Sequence, residues 1–206
     1  MNSPDGAEAG NPRRSFLLSS GGWLTSVWIA AHWPAIAAAA HHAAQLPPVA
    51  DPVGFQFFTA ADAADVEAIA GQIMPSGATP GARETHAVNF IDRGLATFFS
   101  AWAADFRAGL SEFQAKFIAA NSASPSFAAA ASNEQIAYLK TVDSTSFFGT
   151  VRVLTLLGIF SSPKYGGNYG GAGWAMMGFK DQHAFTPPFG YYDREYTGFV
   201  PYGSST

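Results

Sequence analysis

The sequence predicts an all-α protein, a bundle of about five helices that ends in a long irregular region rich in glycine and aromatic residues. Three observations carry this expectation. Apolar residues recur with a period near 3.6 in successive segments, residues that start helices stand before those segments, and breaks containing proline or asparagine follow them. No segment shows sustained strand alternation, and no repeat of about 20 to 50 residues is visible. Of 206 residues, 48% are apolar and only 13% charged, which fits a chain that folds around a core rather than a disordered one.

Residues 1–40 read as a targeting segment, residues 41–56 as a linker, and residues 57–206 as one domain with an irregular tail. Arg13 and Arg14 precede a moderately apolar run from Leu17 to Ala31. Ala35-Ile36-Ala37 and Ala38-Ala39-Ala40 then offer small-x-small cleavage sites. The segment resembles a twin-arginine export signal, from whose usual pattern it departs at Pro12 and Leu18. Gly21, Gly22, Thr25 and Ser26 keep the run less apolar than a membrane span of about 20 residues. The alternative is an N-terminal membrane anchor or a buried helix.

After Pro47-Pro48 and Asp51-Pro52, Thr59 is placed to cap a helix, with Asp62 three residues on at the positive end of its dipole. Val66, Ile69, Ala70 and Ile73 form its apolar face and Pro75 stops it. From Val88 to Phe117 the apolar positions Val88, Ile91, Leu95, Phe98, Trp102, Phe106, Leu110, Phe113 and Phe117 keep helical period. So long a run, set against a usual helix of about 11 to 12 residues, predicts two antiparallel helices broken near Ser100 to Asp105, with Asp105 capping the second. Asn121 to Pro125 ends this unit. Ser132 with Gln135 reads as a capping box before a short helix carrying Ile136 and Leu139. Ser144 or Thr145 caps the last long helix, whose face is Phe148, Val151, Thr155 and Gly158, with Phe147 and Leu154 beside it.

Candidate chemistry is sparse. With 11 basic and 15 acidic residues the chain has no basic face for nucleic acid. The absence of cysteine excludes disulfides, cysteine-ligated clusters, thiol nucleophiles and C-x-x-C-H haem attachment. His86 and His183 stand in no metal-ligand spacing, and the expectation for each is a solvated or capping histidine. Asp92 and Arg93, adjacent on a helix, diverge by about 100 degrees and are expected in surface or inter-helix ion pairs. Arg152, in the apolar run VRVLTLLG, needs a carboxylate such as Asp92 or Asp143, or else points at a partner. The glycine-rich stretch after the last helix lacks both a strand with G-x-G-x-x-G and a Gly-Lys-Ser/Thr loop, so no dinucleotide or phosphate site is expected. Its Gly166, Gly167, Gly170, Gly171 and Gly173 permit tight turns and close backbone approach, with large aromatic residues between them.

Phe57-Phe58-Thr59, Ile73-Met74-Pro75, Pro80-Gly81-Ala82-Arg83, Phe90-Ile91-Asp92-Arg93 and Ala108-Gly109-Leu110 lead into the most specific motif. That motif runs from Phe147-Phe148 through Gly158-Ile159-Phe160-Ser161-Ser162-Pro163-Lys164-Tyr165-Gly166-Gly167-Asn168 to Gly173-Trp174 and Gly178-Phe179. Together these residues, from about Phe57 to Phe179, resemble the gluconate 2-dehydrogenase subunit 3 family. The resemblance implies a non-catalytic small subunit with no cofactor of its own, in a periplasmic complex associated with the inner membrane. Its implied partners are a flavoprotein that holds FAD and oxidises a sugar acid, sugar or alcohol, a cytochrome subunit with haem c, and the twin-arginine translocase. The small subunit would serve assembly and carry the folded flavoprotein through export.

On this reading Arg13 and Arg14 form the export signal, and Tyr165, Tyr169, Trp174 and Phe179 anchor the partner interface, because tyrosine, tryptophan and phenylalanine are the usual interface anchors. The alternative is that these aromatics pack on their own bundle. A second functional reading is a free-standing periplasmic carbohydrate-modifying enzyme or binding protein, built on Asp92, Arg152 and Tyr165.

Overall fold

The structure, a computed structural model, describes residues 12–46 and 54–182, with the side chains of the first helix from Trp28 onward. Seven α-helices and no strands are present among the described residues: α1 (Pro12–Gln45), α2 (Ala60–Ile73), α3 (Ala87–Ala96), α4 (Ala103–Ala120), α5 (Ser132–Val142), α6 (Ser146–Phe160) and the short α7 (Ala172–Met176). Helices α2 to α6 are the five expected from periodicity. Helix α6 is the central one, touching α1, α2, α3, α4 and α7.

The local signals work as the physics requires. Asp62 N–H donates to Thr59 Oγ1 at 3.2 Å, and Thr59 Oγ1 and N–H donate back to the Asp62 carboxylate, completing the cap of α2. Thr145 accepts from Phe148 N–H at 3.2 Å and caps α6. Helix α2 ends at Ile73, ahead of Pro75. The apolar face of α2 is buried throughout, and so is that of the 88–117 run except Trp102, which is half-buried. Phenylalanine dominates the core: Phe113, Phe117, Phe127 and Tyr138 form a cluster with ring centroids 5.0 to 6.4 Å apart and mostly edge-to-face, the arrangement that aromatic quadrupoles favour.

One local expectation holds and three are corrected. The 88–117 run does break, at 97–102, where a single 3-10 turn (Ser100–Trp102) intervenes. Trp102 occupies the N-cap of α4, and Asp105 lies within its first turn, where it favours the helix dipole without capping. On α5 the capping partners are Ala131 and Glu134: Ala131 N–H donates to Glu134 Oε2 at 3.0 Å. Ser132 and Gln135 are instead drawn across to α2, both accepting from Gln72 Nε2. The buried face of α5 is correspondingly Gln135, Tyr138 and Leu139, with Ile136 only half-buried.

The N-terminal segment also differs from a leader followed at once by a linker. Helix α1 continues through residues 41–45, and its Ala39 and Ala43 are buried in the main core. The Pro47-Pro48 and Asp51-Pro52 pairs lie outside the described residues. No single helix of the described residues is long and apolar enough to cross a membrane; α5 and α6 meet that test only as a pair bent by 120°, and much of α6 is buried in the bundle.

Candidate functional site: a glycine-locked aromatic elbow

The end of α6 is the base of an elbow. Beyond it a 3-10 turn (Pro163–Tyr165) leads to Gly166, at φ 97°, and then to Gly167, whose backbone lies against the last turn of α6. A Cβ on Gly167 would be driven into the carbonyl oxygen of Gly158, and one on Gly173 into that of Ile159. Gly158 itself leaves only 3.0 Å between an added Cβ and the Ala87 carbonyl of α3. Three glycines therefore let three stretches of backbone stack where no side chain fits.

Asn168 locks this stack. It is fully buried and holds a left-handed conformation, φ 46°, which asparagine tolerates better than most residues. Its N–H donates to Gly158 O at 2.7 Å, its Nδ2 to Ser161 O at 2.8 Å, and its Oδ1 accepts from Gly173 N–H at 2.8 Å. One residue, through its backbone and side chain, thus ties α6, the loop and α7 together. Tyr169 N–H adds a bond to Thr85 O at 3.1 Å, and Arg93 Nη1 donates to Lys164 O at 3.0 Å, so the elbow is fastened to α3 and the turn before it. Burial lowers the pKa of Arg93, partly offset by Tyr165, and leaves a cation at neutral pH.

On this frame the four expected interface aromatics divide. Tyr165 is half-buried, packs against the main core and meets Phe98 edge-on at 5.9 Å. Trp174 is half-buried, with its Nε1 donating to Phe160 O at 2.8 Å. Both serve their own bundle. Tyr169 is 54% exposed, Phe179 44% and Met177 57%. Tyr169 stacks on the ring of His86 at 4.3 Å, and Phe179 meets Trp174 edge-on at 5.2 Å. The exposed large apolar side chains of the elbow are therefore Tyr169, Met177 and Phe179, with His86 stacked on the first and Trp174 against the last. Met177 lay within the Gly173-to-Phe179 motif, but nothing in the pattern marked it as exposed.

The residues of the enzyme reading have other engagements. The Asp92 carboxylate accepts from the backbone N–H groups of Gln56, Phe57 and Phe58 at 2.8, 2.8 and 2.9 Å, which makes it the anchor of the segment entering α2. Arg152 is buried, with its guanidinium 5.7 Å from the centre of the Phe148 ring. Burial lowers its pKa, and the charge of Asp143 partly offsets this. His86 sits at the N-cap of α3 without a capping bond. His183 lies outside the described residues, as do the side chains of Arg13 and Arg14, whose backbone forms the first turn of α1.

A groove of about 430 Å³ lies between α1, α4 and the start of α6, lined among others by Trp28, His32, Trp102, Asp105 and Glu112. Glu112 is paired with Lys116 at 2.6 Å, which holds its carboxyl below the usual range. The Thr145 and Thr150 hydroxyls on its wall donate to backbone carbonyls. No group of three or more His, Cys, Asp or Glu among the described residues is arranged to hold a metal ion.

Fold and site together define a small all-helical domain with a hydrogen-bonded elbow after its central helix that bears exposed large apolar side chains. The chain belongs to the gluconate 2-dehydrogenase subunit 3 family, whose model matches residues 60–181, from the first turn of α2 to just beyond the elbow. It is thus similar to an accessory subunit of a dehydrogenase. Comparison with curated proteins and with solved structures returns no match.

Proposed function

We propose that this chain is the non-catalytic small subunit of a periplasmic, FAD-dependent dehydrogenase acting on a sugar acid, sugar or alcohol, and that it assembles with the flavoprotein and carries it through twin-arginine export. The observation that carries the reading is the exposure of three large apolar side chains on the elbow, Tyr169, Met177 and Phe179. Large apolar groups held outward on a backbone locked by Asn168 and glycine contacts lose little freedom on binding, which is what an interface anchor requires. Flavin stays on the partner, haem c on a cytochrome subunit, and Arg13 and Arg14 address the complex to the translocase.

The test is to express the co-encoded flavoprotein with and without this chain and to assay exported dye-linked dehydrogenase activity. Activity should be lost without the chain and with Arg13→Lys/Arg14→Lys. The double variant Tyr169→Ala/Phe179→Ala should lower recovery of the complex at least tenfold while leaving the melting temperature of the isolated chain within about 2 °C. Unchanged export and activity in the absence of the chain would sink the proposal. The enzyme reading on Asp92, Arg152 and Tyr165 would be favoured instead by turnover of the purified chain without flavin.

A further inference from the structure

Helix α1, with Leu46 directly after it, carries one continuous packed stripe through the end of the segment read as a targeting signal and past its two candidate cleavage sites. Trp28, His32, Ile36, Ala39, Ala43 and Leu46 follow one another at steps of four, four, three, four and three, the spacing of a single helix face. All six are buried or half-buried. Trp28 stacks on His32 at 4.0 Å and meets Trp102 edge-on at 5.7 Å; its ring also lies within 3.5 to 3.7 Å of where a Cβ on Gly149 of α6 would stand. Ala39 and Ala43 are 5% and 3% exposed within the main core, and Leu46 packs against that core. The intervening Ala35, Ala37, Ala38, Ala40, His41 and His42 are exposed, as the other side of a docked helix must be.

Both small-x-small sites, ending at Ala37 and Ala40, lie inside this stripe, with docked residues on either side of each. A signal peptidase takes its substrate as an extended strand, so cutting at either site requires this part of α1 to unwind and leave the bundle. Twin-arginine export delivers a folded chain, in which the stripe is already packed. We infer that the leader is not removed: residues 28–45 are a permanent helix of the folded subunit and shield the cleavage sites in their own chain. Arg13 and Arg14 belong to the backbone of the same helix, about 21 Å along its axis from the docked Trp28 at 1.5 Å per residue.

This inference rests on the export reading for its cellular consequence, and its test separates the two. The full chain is expressed in a bacterium with twin-arginine export, and the exported protein is measured by intact mass. The expected mass is that of residues 1–206 or 2–206; a mass starting after Ala37 or Ala40 would overturn the inference. The undocking variant Ala43→Asp, with Trp28→Ala/His32→Ala as a second should it fail to fold, should convert most molecules to the cut form. An undocked variant that stays uncut would show that docking is not the shield and would also overturn it. If the chain stays in the cytoplasm the export reading fails, and hydrogen exchange on the purified full chain decides the docking alone. Amides of residues 36–46 protected within tenfold of those of α6 support a permanent helix; exchange at the rate of an unstructured peptide refutes it.

Discussion

Asp92 offers the sharpest test of how the bundle is held. It is 4% exposed and accepts three backbone N–H groups from a segment that begins 36 residues earlier, so Asp92→Ala leaves three donors without their acceptor. A buried donor that loses its partner costs about 1–3 kcal/mol, at the upper end where the acceptor was charged. The Phe58 N–H is buried, whereas those of Gln56 and Phe57 are only partly so and regain water; taking about 2 kcal/mol for the first and about 1 each for the others gives about 4 kcal/mol. For a chain of this size that is a fall of about 8 to 16 °C in melting temperature. Asp92→Asn keeps an oxygen for Phe57 and Phe58 but points an amide N–H₂ at the Gln56 N–H, so its loss should be about half as large. Circular dichroism melts and urea titrations of the full-length variants read both values. An alanine variant melting within about 2 °C of the parent would refute the claim that Asp92 anchors the entry to α2.

The elbow predicts unequal costs for glycines that look alike in sequence. Gly167→Ala, which drives a methyl into the Gly158 carbonyl, should cost about 3 kcal/mol or more in urea denaturation, while Gly170→Ala, in open space at φ 61°, should cost only the left-handed strain of about 1–2 kcal/mol. Equal losses would mean that close approach does not set the elbow. Acid should weaken the fold through Asp62 and Glu84. Burial raises the pKa of Asp62, but hydrogen bonds from Thr59 and Gln114 outweigh it, and Glu84 is lowered by bonds from Ser76 and the Gly81 N–H. Both pKa values are thus depressed on folding, so their stabilisation is complete above the unfolded carboxylate range of about pH 4 and is lost as pH falls through the lower folded values. Asp62→Asn/Glu84→Gln should flatten the fall in melting temperature between about pH 4.5 and 2.5; an unchanged slope would contradict this.

Most of the helical fold was legible because its signals are local. Thr59 with Asp62, Thr145 before Phe148, and the 3.6-residue spacing along α2, α3, α4 and α6 each act within a turn or two of chain, and the structure uses them as read. Ser132 and Gln135 do not form the cap that their spacing suggests, because both accept from Gln72, 60 and 63 residues away. The capping pattern itself was present one residue earlier, where Ala131 supplies a backbone N–H to Glu134 and no side chain marks the start.

The sequence by itself determined the helical class, the core-facing positions, the family resemblance and the density of glycine and aromatic residues after α6, all properties of short windows or of the pattern of residue types. Only the tertiary structure decided that Asp92 is an anchor for distant backbone, that Asn168 joins α6 to the elbow, and that of four similar aromatics Tyr165 and Trp174 turn inward while Tyr169 and Phe179 face out. It also decided that the apparent leader contributes a packed helix to the core. The physical reason is common to all four. Burial and hydrogen bonding depend on which stretches of backbone meet, and those meetings, between α1 and α6 or between Gly167 and Gly158, are set by the packing of the whole bundle rather than by neighbours in the chain.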